Sequence, residues 1–202
     1  MTMPNINRSP EQLADELRGL EHVDWPAVWA GPPNPGQGLD DWCALFGWKP
    51  TSAERVLTVR TATGQEIELT PVREAGWAPV GQLGWTSWEL WAQHTDQNDE
   101  VLRQAAETWA AYVAAVRPVL GEPAFAGAWD DPAFPEPPHD RHWLVPREDR
   151  LEDTDPYRMA MWRENGPEGR ITVLTIDVGP ALDPGELRSA VINVNCYPPE
   201  AV

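Results

Sequence analysis

Lysine is almost absent: Lys49 is the only one beside fourteen arginines, and these 15 bases face 32 acids, for a formal charge of −17 and a pI near 4.4. A surface so short of positive charge repels phosphate backbones and anionic lipid, which disfavours a nucleic-acid binder of the usual electrostatic kind. Charged residues make up an ordinary 23%, so the acidity comes from missing bases and not from an excess of charge as such. Cysteine is confined to Cys43 and Cys196. They lie too far apart in sequence to read as a metal-ligand pair, and two buried thiols are the expected state in a reducing cytosol. No uninterrupted apolar run approaches the roughly 20 residues of a membrane span. The first ten residues hold one arginine and no apolar segment, so no secretory signal is expected and the chain is read as cytoplasmic.

What is present is enough to fold: 202 residues with 42% hydrophobic content, 22 prolines and 12 tryptophans. Ser9-Pro10-Glu11-Gln12 carries a capping box with proline at the first helical position, and Leu13, Leu17 and Leu20 follow at helical spacing. A turn or continuation carries Val23, Trp25, Val28 and Trp29. Asp40 or Asp41 can cap a second short helix holding Trp42, Leu45 and Phe46, stopped at Gly47. From Arg55 the period changes to 2: Leu57 and Val59, then Ile67 and Leu69, alternate with polar residues around Thr63-Gly64-Gln65, which predicts a hairpin.

A third strand is expected over 83–94, with Trp88, Leu90 and Ala92 on one face and Trp85, Ser87, Glu89 and Trp91 on the other. Residues 96–118 form the strongest helical pattern, with Ala105, Trp109 and Val116 along its apolar stripe. Strands are expected again over 157–163, 171–178 and 190–197. The predicted fold is therefore α+β: a single domain over 1–202, with one antiparallel sheet of about six strands. One long helix and two short N-terminal helices, within 1–48, pack on it.

Between helix and final strands, residues 121–156 contain seven prolines, ten acids and three arginines, a net charge of −7. No helix or strand period persists there, and long irregular connections in compact domains are usually functional or mobile. Trp129 and Trp143 are candidate apolar anchors for a partner, and Asp130, Asp131, Asp149, Glu152 and Asp153 are candidate contacts to its basic groups. Other constellations are weaker. His139 and His142 sit in a proline-flanked stretch that gives two imidazoles no common helical face, so neither metal nor cofactor is expected. Gly84-Trp85-Thr86-Ser87-Trp88 lacks the second glycine of a nucleophile elbow.

Asp41-Trp42-Cys43-Ala44-Leu45-Phe46-Gly47-Trp48, Val119-Leu120-Gly121-Glu122-Pro123 and Met161-Trp162-Arg163 together resemble uncharacterised actinobacterial proteins found beside polymorphic toxins, which are regarded as immunity-like. The resemblance implies a protein-binding protein, an immunity-type inhibitor of a toxin, and transfers no site residue. Secretion chaperones or adaptors share the same coarse combination of acidity, sheet and helices, and a small enzyme without a recognisable motif and a structural or carbohydrate-binding module are further alternatives. A basic toxin is the partner that the charge favours, because a negative surface speeds encounter and opposes the wrong partners.

Overall fold

Backbone chemistry shapes each end of the helical layer. In the structure, a computed structural model that describes residues 7–33, 37–54, 56–72, 76–139, 143–164, 169–179 and 186–199, helix α1 covers Pro10–Gly19. Its capping box forms as the sequence predicts: the Gln12 amide donates to Ser9 Oγ at 3.2 Å, and the Ser9 amide donates to Gln12 Oε1 at 2.8 Å. Leu13 and Leu17 turn inward, joined by Leu20 just past the helix end. The expected turn after it is a separate helix, α2 (Trp25–Ala30), because Asp24 accepts from the Ala27 amide and starts a new first turn. Helix α3 (Gln37–Leu45) begins ahead of Asp40, and Leu45, expected inside, is 74% exposed. The described N-terminal helices are therefore three, not two.

Among the described residues eight strands form one antiparallel sheet in the order β1-β2-β3-β4-β8-β7-β6-β5. Six are those the period-2 pattern predicts: β2 (Leu57–Arg60), β3 (Glu66–Pro71), β4 (Val80–Trp91), β6 (Arg158–Arg163), β7 (Ile171–Val178) and β8 (Ser189–Tyr197). The two additions, β1 (Lys49–Ala53) and β5 (Phe125–Ala128), occupy the two edges. Neither shows alternation. Lys-Pro-Thr-Ser-Ala has no apolar face, and Phe-Ala-Gly-Ala is small and short, which suits strands paired on one side only.

The long helix α4 (Asn98–Leu120) lies over β4, β7 and β8, and α1 packs on α4. Ala105, Trp109 and Val116 are buried beneath it, as the stripe predicts. They join Leu57, Ile67, Leu83, Leu174, Ile192 and Val194 in the main core. Gly121 ends the helix with φ +79°, a backbone that favours glycine, and its carbonyl accepts from Trp162 Nε1 at 3.0 Å.

Strand β4 departs from strict alternation. A bulge between Thr86 and Trp88 lets Trp85 pair with Val194 and Trp88 with Ile192, both core residues of β8. Residues paired across strands share a face, so Trp85 and Trp88 both point toward the helices. Trp85, expected opposite Trp88 and beside Trp91, is 6% exposed in the core, whereas Trp91 is 56% exposed on the other face.

That second face is covered over half its width. Met159 and Met161 of β6, Ile171 and Val173 of β7, and Tyr197 of β8 form a smaller core with Phe134 and Leu144 from the acidic connection. Strands β6 and β7 are thus buried on both faces, which accounts for their nearly unbroken apolar runs. Residues 121–156, expected without regular structure, supply β5, helix α5 (Arg147–Asp153) and this second layer. The remaining half, over β2, β3, β4 and β8, is an open polar face.

Candidate functional site

The site is built from the end of the acidic connection, where one arginine does the positioning. Arg150 of α5 is 1% exposed. Its guanidinium lies 3.9 Å over the Phe134 ring, pairs with Glu136 at 3.0 Å, and donates to the Val145 carbonyl at 2.8 Å and the Trp129 carbonyl at 3.4 Å. The same ion pair holds the Glu136 carboxyl below its ordinary range. Arg150 thereby ties α5 to the chain around Trp129 and to the second core. The helix closes at Thr154, whose amide donates to the Arg150 carbonyl at 2.8 Å and whose φ of 56° is left-handed. This reversal sends Asp155 back toward the sheet.

There the Asp155 carboxyl comes beside that of Asp177 of β7. Asp177 also accepts from Asn193 Nδ2 at 2.8 Å and Thr175 Oγ1 at 3.3 Å. Burial, and then the charge of Asp155, push the Asp177 carboxyl from 3.8 up to about 6. Burial raises Asp155 as well, and the neighbouring charge of Asp153 adds to it. Both carboxyls are therefore harder to ionise than ordinary aspartates.

The pair opens into a cavity of about 650 Å³ at the end of the sheet, a volume within the range of small-molecule and side-chain sites. Glu152, Asp153, Asp155 and Asp177 supply acid, Trp129, Tyr157, Leu102 and Val178 supply apolar wall, and Arg188 is the one base lining it among the described residues. Arg188 is held by its backbone: its amide donates to Asn98 Oδ1 at 2.9 Å and its carbonyl accepts from Ala92. On the same sheet face, one row beyond the Glu89–Val191–Asp177 register, stands the exposed Trp91.

Three of the seven residues singled out from sequence, Trp129, Glu152 and Asp153, line this cavity together. The other four do not line it. Asp130 and Asp149 are exposed, and Asp131 accepts from the Ala133 amide at 2.8 Å. Trp143 stacks on Tyr197 at 4.5 Å with planes 9° apart, so one face of its ring is spent on the second core. His142 lies outside the described residues. Among those described, no group of three or more His, Cys, Asp or Glu is placed to hold a metal ion. Cys43 and Cys196 are unpaired and buried, and burial lifts the Cys43 thiol to about 11.

Sequence reasoning missed Arg150, Asp155, Asp177 and Arg188 as site residues. One signal was available for Asp177, an acid inside the apolar run Ile171–Val178. For Arg150, one arginine between Asp149 and Leu151, no local pattern announces burial.

The open polar face makes a weaker site. It forms a recess of about 380 Å³ over Gln82, Thr86, Asn193 and Asn195. Its polar side chains are bonded within the sheet: Gln82 Nε2 donates to Asn195 Oδ1 at 2.7 Å, Thr86 Oγ1 to Asn193 Oδ1 at 2.8 Å, and Asn193 Nδ2 to Asp177. Among the described residues no helix is long and apolar enough to cross a membrane. No family model, curated protein or solved structure matches the chain.

Proposed function

We propose that the chain is an acidic protein-binding protein, an immunity-type inhibitor of a basic toxin, which receives its partner at the α5 end of the sheet. The observation that carries this reading is the convergence of Trp129, Glu152 and Asp153 with Asp155 and Asp177 around one cavity, on a chain with a net charge of −17. An aromatic wall inside an acidic rim is the pattern of an interface with a central anchor and charge-guided encounter. The arrangement is held by Arg150, so its residues are positioned before a partner arrives, which lowers the ordering cost of association.

The test is affinity capture from the native host, identification of the copurifying protein, and repetition with Glu152→Gln/Asp153→Asn and with Trp129→Ala. A basic partner retained by the unaltered chain and depleted in both variants supports the reading. Equal retention by all three chains places the interface elsewhere.

The Asp155–Asp177 pair favours one second reading, a small enzyme that uses the raised Asp177 carboxyl in acid–base chemistry. Asp177→Asn separates the two: an enzyme loses turnover with partner capture unchanged.

A further inference from the structure

Twice among the described residues a buried guanidinium lies between a carboxylate and an aromatic ring. Arg150 sits between Glu136 at 3.0 Å and Phe134 at 3.9 Å. Arg170, fully buried, sits between Glu164 at 2.9 Å and Trp25 at 4.6 Å. The cavity brings together the same kinds of group, carboxylates beside an indole, and among the described residues no ring contact seats a guanidinium on that indole. Among the described residues no ion pair joins a cation to Asp155 or Asp177, and Asp177 accepts from the Asn193 amide and the Thr175 hydroxyl. Arg188 shares the lining.

Two acids brought together in a half-dry site cost the fold stability unless a cation compensates them. A planar guanidinium fits better than a compact ammonium. Its fork meets two carboxylates at once, and its face stacks on an indole. Tyr157, whose ring already carries Arg158 at 5.7 Å, closes the wall. The space, about 650 Å³, admits a whole side chain.

We propose that this cavity binds the guanidinium of an arginine side chain presented by a partner protein, with Asp155 and Asp177 as its carboxylate clamp and Trp129 as its stacking surface. The inference deepens the function proposed above and rests on it for the carrier of the arginine, not for the chemistry of the cavity.

The experiment is titration of the full chain at pH 7.5 with Nα-acetyl-arginine amide, read by calorimetry and by the indole resonance of Trp129. Nα-acetyl-citrulline amide serves as the neutral isostere. Saturable binding of the arginine probe is expected, weaker by about tenfold or more for citrulline and for Asp177→Asn. Asparagine at 177 keeps an oxygen for Asn193 and Thr175, so that variant tests charge with the fold retained, which its thermal transition verifies. No saturation by about 20 mM probe, equal binding of citrulline, or undiminished binding by Asp177→Asn overturns the proposal.

A Gly-Ser peptide with one central arginine identifies the carrier. Tighter binding than the free probe supports a protein side chain, and weaker binding overturns that half of the claim. If the probe fails while the Glu152 and Asp153 variant still depletes the partner, this inference falls and the protein-binding reading stands. If the probe binds and no basic partner is captured, the reverse holds.

Discussion

Single residues set the cost and the reach of the site. Asp177 is held from 3.8 up to about 6 by burial first and by Asp155 second. Between about pH 4 and 6 the folded chain therefore keeps a proton that the unfolded chain has released, so raising the pH across that window lowers stability. Asp177→Asn removes the effect. Its unfolding free energy is expected to match the parent near pH 4 and to exceed it by about 1–3 kcal/mol above pH 7, measured by denaturant titration across the range. Arg150 is the opposite case, a buried charge compensated on every side. Truncation to alanine is expected to cost on the order of 2–3 kcal/mol through lost charged hydrogen bonds. Limited proteolysis would show the cut falling first in 129–153. Ser87, fully buried in the β4 bulge with no hydrogen-bond partner for its hydroxyl among the described residues, gives a third. Ser87→Ala is expected to raise stability by about 1 kcal/mol in the same titration, because a desolvated hydroxyl is removed at little loss of volume. None of these roles was legible residue by residue: burial of Arg150 and the meeting of Asp155 with Asp177 arise from chain segments that only the fold brings together.

At the scale of elements, the strongest local patterns were the most readable. The α1 capping box, the stripe of α4 and the alternation of β2 and β3 each follow from spacing along a few residues. Trp109, buried under α4, tests that stripe. Trp109→Ala is expected to cost about 3–5 kcal/mol in denaturant titration, and a loss under about 1 kcal/mol would show the helix face turned outward. Legibility failed where pairing, not patterning, makes the strand. Edge strands β1 and β5 bury little of their own and exist because β2 and β6 offer hydrogen-bonding partners. The β4 bulge inserts a residue that no period shows, and it carries Trp88 to the face of Trp85. The second core was hidden for a related reason. Phe134, Leu144 and Trp143 are spaced irregularly among prolines, and only the apolar outer face of β6 and β7 gives them a common surface.

Across the whole molecule, the sheet separates two jobs. One face is sealed by α1 to α4, while the other is half sealed by the acidic connection and leaves Trp91, the polar recess and the acidic cavity at its surface. The acidity of the chain was legible from composition, and so was the segment that concentrates it. What composition could not convey is that this segment is anchored by Arg150, so that part of its charge is gathered at one cavity and part is scattered over the surface. Charge on such a rim acts at long range on encounter, and its reach shortens to about 8 Å at physiological ionic strength. The most direct measurement of the central claim is the association rate of the captured partner at about 0.05 and 0.15 M salt, for the parent chain and for Glu152→Gln/Asp153→Asn. A docking site at the cavity predicts that the variant associates several-fold more slowly at low salt and with a flatter salt dependence. The same rate and the same salt slope in both chains would contradict it.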